Sequence, residues 1–247
     1  MSIASEIERL QEAKDDLKTA IKAKGVEILD TDTINAYADK VSEIQGGGID
    51  YMPYMASVKF STAAEELTEN ISLDLSNATT LIALIDQCYI NFKKLTVKIS
   101  SKCASFQNAF RANGADYTCV LEEIEIIGDT SGVTTFYNAF NGRKTLKRIT
   151  GVIKVGSNAV EAAFGSAFNN CVALEEVRFA ENCIPVNISF SNSPNLTDET
   201  IDSIVKGLAD LTDSDAQTLT VHTDVKAKIE ANSVWLNTIT GKNWTLA

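Results

Sequence analysis

Few residues in this chain are suited to covalent or metal chemistry. Its one histidine, His222, would have to serve any Ser-His-Asp or Cys-His system, and it ends a strand-like segment, Thr218 to His222. The five cysteines, Cys88, Cys103, Cys119, Cys171 and Cys183, form no CxxC pair and lie far from that histidine. Zinc ligation is therefore not expected, and reduced, buried thiols are. Gly46-Gly47-Gly48 lacks the Lys-Ser/Thr that completes a phosphate-binding loop, and Asp30-Thr31-Asp32 lacks the central glycine and remaining ligands of an EF-hand. No cofactor and no metal are expected. Carboxylates are abundant, and two of them roughly 5–10 Å apart in a cleft would suit a glycan-acting hydrolase. The pairs Glu122-Glu123 and Glu175-Glu176, however, recur at equivalent points of a repeat. Recurrence suits a solvated strand position and not one unique active site, so a non-enzymatic protein is expected, with the hydrolase as a remote alternative.

The elements that position these residues are repetitive. An apolar residue followed by apolar positions three and five later occurs as Phe92-Lys-Lys-Leu95-Thr-Val97, Leu121-Glu-Glu-Ile124-Glu-Ile126 and Leu174-Glu-Glu-Val177-Arg-Phe179, with a weaker copy in Leu146-Lys-Arg-Ile149-Thr-Gly151. In chain order these begin 29, 25 and 28 residues apart. Looser copies start at Met55 and Ala216. Interleaved with them are Phe106-Gln-Asn-Ala-Phe110, Phe136-Tyr-Asn-Ala-Phe140 and Phe164-Gly-Ser-Ala-Phe168, and Leu81-Ile-Ala-Leu-Ile85 takes the same place in an earlier unit. Six of the ten phenylalanines occupy this slot, which predicts a stacked interior position. The i, i+4 aromatic pair fits one helical turn. A single unit of strand and return cannot bury both its strand face and its aromatics, but stacked units can, with the strands aligned as a parallel sheet.

Residues 1–46 read as two helices. Ile3, Ile7, Leu10, Leu17 and Ile21 follow a 4/3 spacing with Lys14 in the gap, and Ile34, Tyr37, Val41 and Ile44 share a face of the second. They form a small helical hairpin, or the first forms a coiled-coil segment with other copies, a possible homo-oligomer through residues 3–24. A linker, 47–54, follows Gly46. Residues 55–247 read as the repeat array, closed by a C-terminal cap over 197–247. That cap begins with an amphipathic helix carrying Ile201, Ile204, Val205 and Leu208 on one face. The fold class expected is thus α/β: a leucine-rich-repeat-like solenoid with short parallel strands behind a helical N-terminal module.

The net charge of −11 and pI of about 4.6 argue against a nucleic-acid partner, and no basic amphipathic face suits an anionic membrane. The start is not a secretory signal, and no 18-residue apolar run suggests a transmembrane segment.

The Leu-x-x-Ile-x-Ile strands with Asn-Ala-Phe returns, over residues 55–222, resemble the BspA-like class of leucine-rich repeats. The tail from Leu219 to Ile229, ending in Gly241-Lys-Asn-Trp-Thr-Leu-Ala247, looks like the closing segment of such proteins in gut bacteria and their phages. The opening Ile3-Ala-Ser-Glu-Ile-Glu-Arg-Leu10, with Ala20-Ile-Lys-Ala-Lys-Gly25 and a second helix, resembles the N-terminal module of phage tail-associated proteins. The resemblance implies a virion or bacterial-surface location, and a binding or structural role toward a protein or cell-surface ligand. The alternative is a bacterial cell-surface adhesion module of the same fold. It carries over no binding residues. Binding surfaces of stacked repeats lie along the sheet or one row of loops, so the candidate face is Lys93, Lys94, Glu122, Glu123, Lys147, Arg148, Glu175 and Glu176. Their signs alternate from strand to strand, which predicts a ladder of opposite charges.

Overall fold

The computed structural model describes residues 3–23, 27–29, 37, 70–86, 90, 92–112 and 120–247. The chain divides into two compact units, Met1–Ile49 and Asp50–Ala247. In the first, helix α1 spans Ile3–Lys22, with a basic residue in its last turn where the helix dipole favours one. Ile21 packs with Ile28 and with Tyr37, all three at most 2% exposed. Lys14 sits 5.9 Å from the Tyr37 ring centre. Tyr37 is helical. Ile34, Val41, Ile44, the linker 47–54 and the loose repeat at Met55 lie outside the described residues, as do Cys88 and Cys119.

The second unit is mixed α/β. Strands β1 (Ile71–Asp74), β2 (Lys94–Lys98), β3 (Glu123–Ile127), β4 (Arg148–Ile153) and β5 (Glu176–Phe179) form a five-stranded sheet in sequence order, each pair parallel. Register aligns Leu95, Ile124, Ile149 and Val177 on the buried side. Gly151 explains why the repeat at Leu146 is the weak copy. A β-bulge lies between Ile149 and Val152, so Ile153 replaces residue 151 as the next buried position and pairs with Phe179. Gly151 has φ +95°, and a Cβ there would stand 2.1 Å from the Ile126 carbonyl oxygen.

The returns differ from the single helical turn that their i, i+4 spacing suggests. They are tight turns whose central residue is left-handed: Ala83, Asn108, Asn138 and Ser166 have φ of 53–56°. Each return hydrogen-bonds to the next at alternate residues. Phe106, Asn108 and Phe110 N–H groups donate to Thr135, Tyr137 and Ala139 carbonyls at 2.8–2.9 Å, and Phe136, Asn138 and Phe140 donate to Ala163, Gly165 and Ala167 at 2.7–2.9 Å. A continuous helix would turn its N–H groups inward to its own carbonyls, whereas this backbone offers them to the neighbouring unit. The phenylalanines then fall into two columns. Phe136 and Phe164 stack at 5.6 Å, while Phe110, Phe140, Phe168 and Phe190 run at successive spacings of 5.4, 5.5 and 4.5 Å.

After β5, helix α2 (Asp198–Gly207) takes the place of a further strand. Thr197 caps it, and Ile201, Ile204 and Val205 are buried. Its hydroxyls serve the edge of β5: Thr200 donates to the Glu175 carbonyl at 2.9 Å, and Ser203 accepts from the Phe179 N–H at 2.9 Å. Strands β6 (Ile188–Phe190), β7 (Gln217–Val221) and β8 (Trp244–Leu246) form a second parallel sheet, with α3 (Thr223–Ala231) and α4 (Ser233–Gly241) between β7 and β8. One hydrophobic core runs from Ala78 to Trp244 and includes residues of both sheets. Among the described residues, no helix is long and apolar enough to cross a membrane.

Candidate binding face

Alternation along each strand puts one set of side chains in the core and the other on the open face. The register sets Lys94, Glu123, Arg148 and Glu176 side by side across four strands. Lys93, Glu122, Lys147 and Glu175 form a second row immediately before the strands. Of these eight sequence-predicted residues Lys93 is exposed and the others are half-buried. The alternating signs pair across β2, β3 and β4, but no salt bridge joins Lys147 or Arg148 to Glu175 or Glu176. Lys94 Nζ lies 2.9 Å from Glu123 and 2.8 Å from Glu125, Arg148 lies 2.8 Å from Glu123, and Lys147 lies 2.9 Å from Glu122. At the sheet edges Lys98 pairs with Asp74 and Arg178 with Glu176.

These contacts set the protonation behaviour of the face. The hydrogen bond from Lys147 holds Glu122 below the usual range, and those from Lys94 and Thr96 do the same for Glu125. Burial works against the Glu123 carboxylate, whose side chain is 15% exposed, but hydrogen bonds from Lys94 and Arg148 outweigh it and the net shift is downward. Asp74 falls to about 2 through its bonds with Ser76 and Lys98. Glu122, Glu123, Glu125 and Asp74 are thus held as carboxylates through the neutral range by their hydrogen-bonded partners.

A polar cleft of about 210 Å³ opens where this face meets α2. Arg148, Glu175, Glu176 and Arg178 line it from the sheet side, and Thr197, Glu199 and Thr200 from the first turn of α2. Three sequence-predicted residues, Arg148, Glu175 and Glu176, are therefore brought together there, while Lys93, Lys94, Glu122, Glu123 and Lys147 do not line it. Sequence reasoning missed Arg178 and the α2 residues. The x in Val177-x-Phe179 marks Arg178 as outward-facing, but nothing in the repeat says that a helix replaces the next strand.

Among the described residues, His222 and three cysteines also make hydrogen bonds to the backbone. His222 caps α3 beyond the end of β7, its Nδ1 accepting from the Asp224 N–H at 3.3 Å. Burial pushes the thiols of Cys103 and Cys171 up to about 11 and about 12 and that of Cys183 upward, so none is a ready thiolate at neutral pH. No group of three or more His, Cys, Asp or Glu side chains among the described residues is placed to hold a metal.

Comparison with known proteins matches the chain to no family model, no curated protein and no solved structure.

Proposed function

We propose that the chain is a non-enzymatic binding or structural protein whose second unit is a leucine-rich-repeat-like solenoid of the BspA-like kind. In this reading it is a tail-associated component of a phage or prophage. Residues 3–24 assemble copies, and the charged sheet face meets a host-surface ligand. The observation that carries the reading is the in-register stacking of strands and returns, which produces one continuous outward row from unlike segments of chain. A row of ion pairs on hydrogen-bonded strands is pre-organised, so little side-chain ordering remains when a partner docks. Residues 11–20 of α1 are mostly exposed, Leu17 at 40%, which leaves that stretch open to another copy.

The test is adsorption of the fluorescently labelled full chain to whole cells of a panel of gut bacteria. The expected result is saturable binding to at least one member, reduced tenfold or more when Glu123→Lys and Arg148→Glu reverse two adjacent rungs without loss of folded circular dichroism. Absence of adsorption across the panel, or adsorption indifferent to the reversal, would contradict the assignment of this face.

A further inference from the structure

We infer that the cleft between β4, β5 and α2 binds a single neutral sugar ring. This rests on the reading of the sheet face as a binding surface and specifies what that face takes.

The argument is one of hydrogen-bond valences. A guanidinium has five N–H donors. Arg148 commits Nε and one terminal nitrogen to Glu123, at 3.0 and 2.8 Å, and Arg178 commits Nε to Glu176 at 2.9 Å. The remaining terminal nitrogens have no partner among the described residues. The carboxylates of Glu175 and Glu199 make no salt bridge among the described residues, although Glu175 and Glu176 attract the Arg148 guanidinium through space. The cleft therefore holds unused donors and unused acceptors together. Its formal charges, two guanidiniums and three carboxylates, nearly cancel.

An anion entering this space meets Glu175, Glu176 and Glu199. A cation meets both guanidiniums and the positive end of α2. A neutral ligand avoids both penalties, and vicinal hydroxyls match the lining because each can accept from a guanidinium while donating to a carboxylate. Size points the same way. Pockets for drug-sized ligands run to about 300–1,000 Å³, so a cleft of about 210 Å³ suits one ring. The lining contains no aromatic or aliphatic side chain, so affinity is modest, with Kd on the order of 1 mM.

Saturation-transfer NMR on the full chain tests this with glucose, galactose and N-acetylglucosamine as neutral probes, and glucuronate and lysine amide as charged ones. At least one neutral sugar receives saturation and outcompetes both charged probes, and its affinity falls about fivefold or more in Arg178→Ala. That side chain is 59% exposed, so the fold is retained. Glu199→Gln, also exposed, gives an independent second variant. No transfer to any neutral sugar, preference for a charged probe, or affinity unchanged in both variants would overturn the inference. The two readings fail separately. Cell adsorption without sugar binding removes the cleft assignment alone, and sugar binding without adsorption removes the host-surface reading while the cleft stands.

Discussion

Arg143 is the residue whose role is least visible in the sequence. It follows Asn141-Gly142 in what reads as a polar turn, yet it is fully buried. Its guanidinium donates to the Phe110 carbonyl, to Ile85 O at 2.6 Å and to Arg111 O at 3.2 Å, joining two preceding units to its own. Cys171 and Ser193 hold the equivalent places, three residues after Phe168 and Phe190, and also donate to carbonyls of the unit before, at 3.2 and 3.0 Å. Nothing in the repeat says that one side chain at this place must reach carbonyls of two earlier units, which a long, forked donor does. Arg143→Met is expected to lower unfolding free energy by about 3 kcal/mol or more. Arg143→Lys restores little, because one ammonium cannot reproduce the fork. Denaturant titration checks both, and a lysine variant as stable as the parent would refute this role. At the face, Glu122, Glu123, Glu125 and Asp74 have lowered folded pKa values, so their stabilisation is present above the usual carboxylate values of 4.5 and 3.8 and is lost as pH falls below them, down to about 2 for Asp74. Thermal melts across that range should show Glu123→Gln less stable by about 1 kcal/mol at pH 7, with the difference shrinking toward pH 2.

The strands and the returns were not equally legible. Strands β2, β3 and β5 follow from three apolar positions at fixed spacing, because burial on one face demands that alternation. Strands β1 and β6 were missed: Ile71-Ser-Leu73 and Ile188-Ser-Phe190 are too short to stand out without the register that places them. The returns give the right burial and the wrong backbone, since an i, i+4 pair marks both a helical turn and a left-handed tight turn. The discriminating signal was Asn108 and Asn138, a residue type that tolerates φ near +55°, at the centre of each. Two substitutions separate these ideas. Asn138→Gly should leave the melting temperature nearly unchanged, while Asn138→Val destabilises, since a β-branched residue resists that conformation. In a helix the ranking would reverse. Phe140→Ala removes a ring stacked against Phe110 and Phe168, and should cost about 3–5 kcal/mol.

At the scale of the whole molecule, the division into Met1–Ile49 and Asp50–Ala247 coincides closely with the composition break at Gly46–Gly48. The C-terminal cap was legible as an amphipathic helix, but the use of its hydroxyls to close the edge of β5 was not, because that depends on the sheet ending where it does. In the function proposed above, stacking sets what the second unit presents, and the first unit would set how many copies present it. Light scattering on the full chain beside a chain beginning at Asp50 measures this directly. The account predicts a dimer or trimer for the full chain and a folded monomer for the shorter one. A full chain that remains monomeric at high concentration would contradict the assembly role of residues 3–24, and with it the reading of the protein as a multivalent, tail-associated component.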